Sequence, residues 1–213
     1  MLLTQLRRGA VLCLICLVLF GLAYPFLGVG LSQLFFRGQA DGSITPNGSI
    51  RIGQNWAATK CPGQLLGSCV FQGRPDDLGP YTNANAKTPS PVGHQGDDPL
   101  VANGAAGGSG ATNLGPRSAE LEAYTKTLIA YWHQRGVNPT SDLVTTSGSG
   151  LDPDITPQDA LAEIPMVSKA TGLSAAALKH LISQQTQGAQ LGFLGSPYIV
   201  VLQLNEALAK LKK

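Results

Sequence analysis

The stretch RRGAVLCLICLVLFGLAYPFLGVGLSQLFFR, residues 7–37, decides the architecture of this chain. Between Arg8 and Arg37 lie 28 residues without a charge. As an α-helix that run reaches about 42 Å at ~1.5 Å per residue, against a hydrocarbon core of ~30 Å, so it can cross a bilayer. A cleaved signal peptide has an apolar core of roughly 7–15 residues with a small-x-small site close behind. Residues 10–31 are far longer than that, and Gly38-Gln39-Ala40 would be a poor cleavage site, so an uncleaved anchor is favoured over a leader. Arg7, Arg8 and the amino terminus favour the cytoplasmic side, since only Arg37 stands close behind the span. The expected layout is a cytoplasmic segment 1–9, a transmembrane helix 10–31 and one extracytoplasmic α+β domain over 32–213.

Within the span, Pro25 follows only 15 apolar or small residues counted from Ala10, about 22 Å of helix and too short alone. The helix must therefore continue through Pro25, with a kink expected there. Gly21 and Gly28 are seven residues apart and share a face that another helix could approach, although no GxxxG pair is present and glycine is common in membrane helices generally. Gly21, Pro25 and Gly28 are thus candidates for helix packing. Cys13 and Cys16 act as small apolar residues. Tyr24, Phe26, Phe35 and Phe36 mark an outer interfacial belt.

Residues 37–213 number 177, enough for one domain with a real core. Of the 15 basic residues, Arg7 and Arg8 precede the span, and the remaining 13 balance all 13 acidic residues, so this part is formally neutral and carries no nucleic-acid footprint. Cys61 and Cys69 are the only cysteines there, and an extracytoplasmic compartment permits them to pair. A disulfide is favoured over two free thiols, and over zinc, since neither cysteine sits in a Cys-x-x-Cys pair and no histidine lies nearby.

Residues 42–53 contain two β-rich pieces around Pro46-Asn47-Gly48, a hairpin signal, and 70–73 suggest another strand. Residues 79–116 are mostly Gly, Asn, Pro, Ser and Ala and form an expected long loop. A helix is expected from Pro116 or Ser118 to Gly136, with Leu121, Tyr124, Leu128 and Tyr131 inward and Glu120, Glu122, Lys126 and Arg135 in water. A short strand is expected at 143–146. Thr156, Pro157 and Asp159 spell a capping box, Pro165 interrupts that helix, and Gly172 ends it. Ser174 caps a helix bearing Leu178, Leu181 and Ile182; a strand at 198–202 and a last helix capped by Asn205 complete the expected α+β fold, richer in helices than in strands.

Catalytic patterns are sparse. No GxxxxGK[ST] loop occurs, and the glycine run 104–110 follows no convincing strand. Ser147 and Ser149 lie near Asp152 but in no GxSxG elbow. His94, His133 and His180 are scattered and suit surface positions; Asp76-Asp77 and Asp97-Asp98 suit turns, and Asp152, Asp154 and Asp159 lack EF-hand spacing.

Several segments together carry a resemblance. YPFLGVGLSQLFF at 24–36, GQADGSI at 38–44, IGQNW at 52–56, FQGRP at 71–75, DLVTTSGSGLDPDITPQDA at 142–160, IPMVSKATGLS at 164–174 and LGSPYIVVLQLNEAL at 194–208 resemble, in order, the C subunit of the Kdp-type potassium-transporting ATPase. The stretch 57–68, with Cys61, looks longer than the family's usual connection, and 102–115 looks like its GGSN-L-P pattern with insertions. The resemblance implies a bacterial inner-membrane complex with two large partners, a channel-like potassium-binding subunit and an ATP-hydrolysing P-type subunit. It implies an accessory chain without a catalytic site of its own, and the DKTGT phosphorylation motif is indeed absent here. The family is also described as a catalytic chaperone that raises ATP affinity, so ATP is implied as a ligand by resemblance alone. An extracytoplasmic domain meets little ATP, which favours an indirect role in assembly and at the outer potassium entrance. The alternative is an independent anchored enzyme or solute-binding protein. Gln54, Arg74, Asp152 and Asn205 lie in the matching segments, each with a structural role available as turn, cap or loop residue.

Overall fold

The computed structural model describes residues 2–54, 56–75 and 111–212. Residues 79–110 of the loop expected at 79–116, with His94, and both acidic doublets lie outside the described residues. Two compact units meet at Ile44 and Thr45.

The first unit is built on a continuous helix, Leu2–Phe35, with none of its most apolar window buried in protein. It consists of α1 (Leu2–Cys16), a π-helical stretch (Leu17–Ala23) and α2 (Tyr24–Phe35), followed by the short α3 (Arg37–Ala40). The helix runs through Pro25 as expected, and the device is the π-helical stretch directly before it. Pro25 has no N–H and its ring crowds the carbonyl four residues back. Widening the preceding turn relieves that crowding: the Tyr24 N–H donates to the Leu19 carbonyl, five residues back.

The second unit opens in the expected hairpin, β1 (Ile44–Thr45) with β2 (Gly48–Ser49). Its helices are α4 (Ala119–Gln134), α5 (Pro157–Thr171), α6 (Ala175–Gln185) and α7 (Val201–Leu211). β3 (Asp154–Ile155) and β4 (Ile199–Val200) pair antiparallel, with Asp154 opposite Val200 and Ile155 opposite Ile199. The core gathers Phe71, Tyr124, Leu128 and Trp132 with Leu143, Ile164 and Val167, and then Leu178, Ile199 and Leu204 from the C-terminal half.

Local chemistry explains the helix ends. The Ser118 side chain accepts from the Glu120 and Leu121 N–H groups, and Gly136 beyond α4 has φ +72°. At α5 the capping box is complete: Thr156 accepts from the Asp159 N–H while the Asp159 carboxylate accepts from the Thr156 N–H.

Five expectations are corrected. Residues 70–73 form no strand; side chains rather than a neighbouring strand take their backbone groups, as described below. Residues 142–144 form a 3₁₀ turn instead of a strand, anchored where the Trp132 indole N–H donates to the Leu143 carbonyl at 2.9 Å. Pro165 lies inside α5 without ending it. Its ring faces solvent and so does Leu161, whose carbonyl loses its helical partner, so water can satisfy that group. The inward face of α4 is Tyr124, Leu128 and Trp132, with Leu121 only half-buried, and Arg135 stacks its guanidinium 3.5 Å from the Tyr131 ring centroid. Finally, α7 begins four residues before Asn205, after Val200, because the Val201 N–H continues the β3 ladder by donating to the Pro153 carbonyl at 3.0 Å. Asn205 is therefore a mid-helix residue, and its side chain is free for other work.

Candidate functional site

Four of the segments singled out in the sequence, at 52–56, 71–75, 142–160 and 194–208, converge on one partly buried polar junction. Residues 71–75 run through it as a strap held by side chains. Asn205 in α7 accepts from the Phe71 N–H through Oδ1 and donates to the Phe71 carbonyl through Nδ2, both at 2.8 Å. One amide thereby does what a paired strand would have done. The next residue is held from α5, where the Glu163 carboxyl accepts from the Gln72 N–H at 2.8 Å. Gln72 in turn donates to the Gly67 carbonyl at 3.2 Å and accepts from the Tyr131 hydroxyl at 2.9 Å.

Arg74 ties the strap to the serine-glycine loop. Its guanidinium donates to the Thr145 and Thr146 carbonyls at 3.4 and 3.0 Å and lies 3.4 Å from the Asp152 carboxylate. Residues 52–54 close the other side. The Gly53 N–H donates to the Leu151 carbonyl at 2.8 Å, and a Cβ on Gly53 would sit 2.6 Å from the Asp152 carbonyl oxygen. Only glycine allows that approach. Gln54 packs against Gly48, which has no side chain to obstruct it.

The serine loop forms no nucleophile arrangement. Ser147 and Ser149 hydrogen-bond each other at 3.2 Å, and the Asp152 carboxylate is engaged by Arg74 and by the Asp154 N–H. His133 and His180 are exposed on α4 and α6, as expected. Among the described residues no three His, Cys, Asp or Glu side chains gather as a metal-binding group. Asn47 donates to Glu206 at 2.8 Å beside an open groove of about 660 Å³, lined by Trp56, Val70, Leu202 and Lys210 among others. The sulfurs of Cys61 and Cys69 are joined at 2.04 Å, closing the loop that precedes the strap. Gly21, Pro25 and Gly28 are all exposed on the apolar helix.

Two carboxyls in or beside the junction are perturbed. Burial pushes Asp154 up to about 6, with the neighbouring Asp152 charge adding and Arg51 opposing. Burial pushes Glu163 well above the usual carboxylate range; the Gln72 N–H opposes this and the Asp159 charge adds to it. Glu163 is fully buried, and one of its oxygens has no hydrogen-bond partner. Sequence reading overlooked it because a glutamate in an amphipathic helix ordinarily marks the wet face. Its position beside Ile164, in register with Ala160 and Val167, was the available signal.

A raised carboxyl value in the folded state means that the folded protein keeps a proton the unfolded chain has released. Stability from this source is fully present below the unfolded value and is lost as pH rises through the folded one. Asp154 is half titrated near pH 6, so the decline in melting temperature above the usual carboxylate range combines Asp154 and Glu163, and the part that disappears when Glu163 is replaced belongs to Glu163. Glu163→Gln keeps an acceptor for the Gln72 N–H and removes the proton. The expected result is a melting temperature that falls less steeply as pH rises above the usual carboxylate range, and that exceeds the parent's at alkaline pH. An unchanged slope would show that Glu163 is not the titrating group.

A protein-family model described as "KdpC: K+-transporting ATPase, c chain" matches residues 6–210. A potassium-transporting ATPase KdpC subunit from Methylobacterium nodulans is 37% identical, with 98% of each chain covered. Its counterpart from Klebsiella pneumoniae is 36% identical over 97% of each chain, and that from Bacillus cereus is 35% identical over 92% of this chain and 91% of its own.

Proposed function

We propose a role that proceeds from an established premise: this chain belongs to the KdpC family, the c chains of K+-transporting ATPases. Within the potassium-transporting ATPase it serves as a non-catalytic, single-pass subunit that stabilises the assembly and supports the partners that bind potassium and hydrolyse ATP. The observation that carries this reading is the uninterrupted apolar helix Leu2–Phe35, followed by a unit with its own core. A helix whose large apolar side chains are all exposed needs lipid or another membrane helix around it.

Arg7 and Arg8 favour a cytoplasmic amino terminus in the bacterial inner membrane, with the folded unit outside the cytoplasm. The joined Cys61 and Cys69 support that side, since disulfides persist in oxidising compartments. There the unit packs over the outer entrance of the channel-like potassium-binding subunit. Any effect on the ATP affinity of the P-type subunit is then transmitted through the membrane partners, because the folded unit lies across the bilayer from ATP. Gly21, Pro25 and Gly28 shape the helix for packing against those partners.

Deleting the chain from cells that depend on this ATPase is expected to abolish growth at micromolar potassium and to leave the two large partners poorly assembled in mild detergent. Normal growth and normal assembly without it would overturn the proposal.

A further inference from the structure

The connection between α6 and β4 presents its apolar side chains outward. Leu191, Phe193 and Leu194 are 83%, 75% and 49% exposed, although each is large enough to serve in a core. They stand at the tip of a narrow hairpin. At its base Gln187 and Tyr198 exchange backbone hydrogen bonds at 2.8 and 3.0 Å, and the Tyr198 hydroxyl donates to the Gln187 side chain at 2.8 Å. Near the tip, the Gln190 N–H donates to the Leu194 carbonyl at 2.8 Å, and the Gln190 carbonyl accepts from the Leu194 N–H at 2.9 Å. Leu191 holds φ +54°, a conformation that a leucine adopts only at a cost. Strain of this kind persists where the surrounding structure imposes it, and it gathers at active sites, ligand clamps and switch regions.

We infer that the tip formed by Leu191, Phe193 and Leu194 is a docking element for a neutral, apolar cleft on a protein partner, namely a membrane-embedded subunit of the same ATPase. The inference rests on the proposed subunit role and names the contact through which it acts. Two observations favour a protein over lipid. No charged residue occurs from 181 to 205, so the tip brings no lysine or arginine to hold lipid phosphates, as surface-binding segments ordinarily do. The hairpin is also fixed in shape by hydrogen bonds at base and tip, and such preorganisation lowers the ordering cost of entering a cleft of defined shape. A fluid lipid surface would make no use of it. Because the flanking residues are neutral as well, a charged partner surface would gain nothing here, whereas an uncharged cleft would bury all three side chains.

The test places a photo-activated benzophenone side chain at position 193 of the full chain, and separately at the exposed Gln158 on α5, in cells expressing the whole ATPase. After irradiation and purification in mild detergent, position 193 is expected to crosslink to one large partner subunit at least ten-fold more than position 158. Crosslinks mainly to lipid, equal yields at the two positions, or no crosslink at 193 would each overturn the inference. A companion variant, L191S/F193S, is expected to lower potassium-stimulated ATPase activity several-fold while the melting temperature of the folded unit stays within a degree of the parent; full activity would overturn the inference too. If even the parent chain fails to co-purify with its partners, the subunit role itself fails. If it co-purifies and only the tip results are negative, the docking element alone fails.

Discussion

Asn205→Ala is expected to destabilise the folded unit by about 3 kcal/mol, more than any ordinary surface substitution. The Asn205 amide satisfies both backbone groups of Phe71, and all of these atoms are buried. Alanine would leave one N–H and one carbonyl without partners, at ~1–3 kcal/mol each. For a unit of this size, ~1 kcal/mol shifts the midpoint by roughly 2–4 °C, so the melting temperature should fall by about 10 °C. Hydrogen exchange gives the specific readout, because the Phe71 amide should lose protection before the core amides of α4 do. A midpoint within 2 °C of the parent, with Phe71 still protected, would show that the strap is held by something else.

The second large effect concerns the helix. A chain in which residues 2–36 are replaced by a cleavable leader should still fold, since the buried core lies in the second unit. It should leave the membrane fraction entirely. Each exposed Leu, Val, Ile or Phe of the helix is worth roughly 1.5–3 kcal/mol when removed from water, so the intact anchor partitions into lipid without measurable return. The released unit is expected to support no growth at micromolar potassium. Growth at the parental rate would mean that the helix is only a tether for delivery.

Much of this was legible in the sequence because local chemistry set it. The uncharged run declared the long helix, the Thr156-Pro157-Asp159 pattern declared the start of α5, and Gly136 and Gly172 sit beyond helix ends with positive φ. The misread elements share a cause. Residues 70–73 and Asn205 take their conformations from each other across 134 positions in sequence, and 142–144 are anchored by the Trp132 indole 11 positions away. Pattern reading sees neighbours along the chain, so an asparagine before an apolar helix looked like a cap. Glu163 escaped because a helical glutamate ordinarily marks the wet face, although its register with Ala160 and Val167 pointed inward; its partner Gln72 lies 91 residues away. The π-helical stretch before Pro25 lies between these cases: the proline signalled a disturbance, while its form depended on the helix continuing through it.

The convergence of the matched segments also clarifies what they do. Gly53, Arg74, Asp152 and Asn205 build one junction in which each is engaged by backbone or side-chain partners, so these positions shape the unit. Among the described residues, the apolar surfaces left open include the helix Leu2–Phe35, the groove beside α7 and the hairpin tip.

Which side of the membrane the folded unit occupies tests the account most directly. Protease added to right-side-out vesicles should digest the unit, and the same protease added to inside-out vesicles should leave it intact. The reverse pattern would place the unit in the cytoplasm and contradict the role proposed for it at the outer potassium entrance.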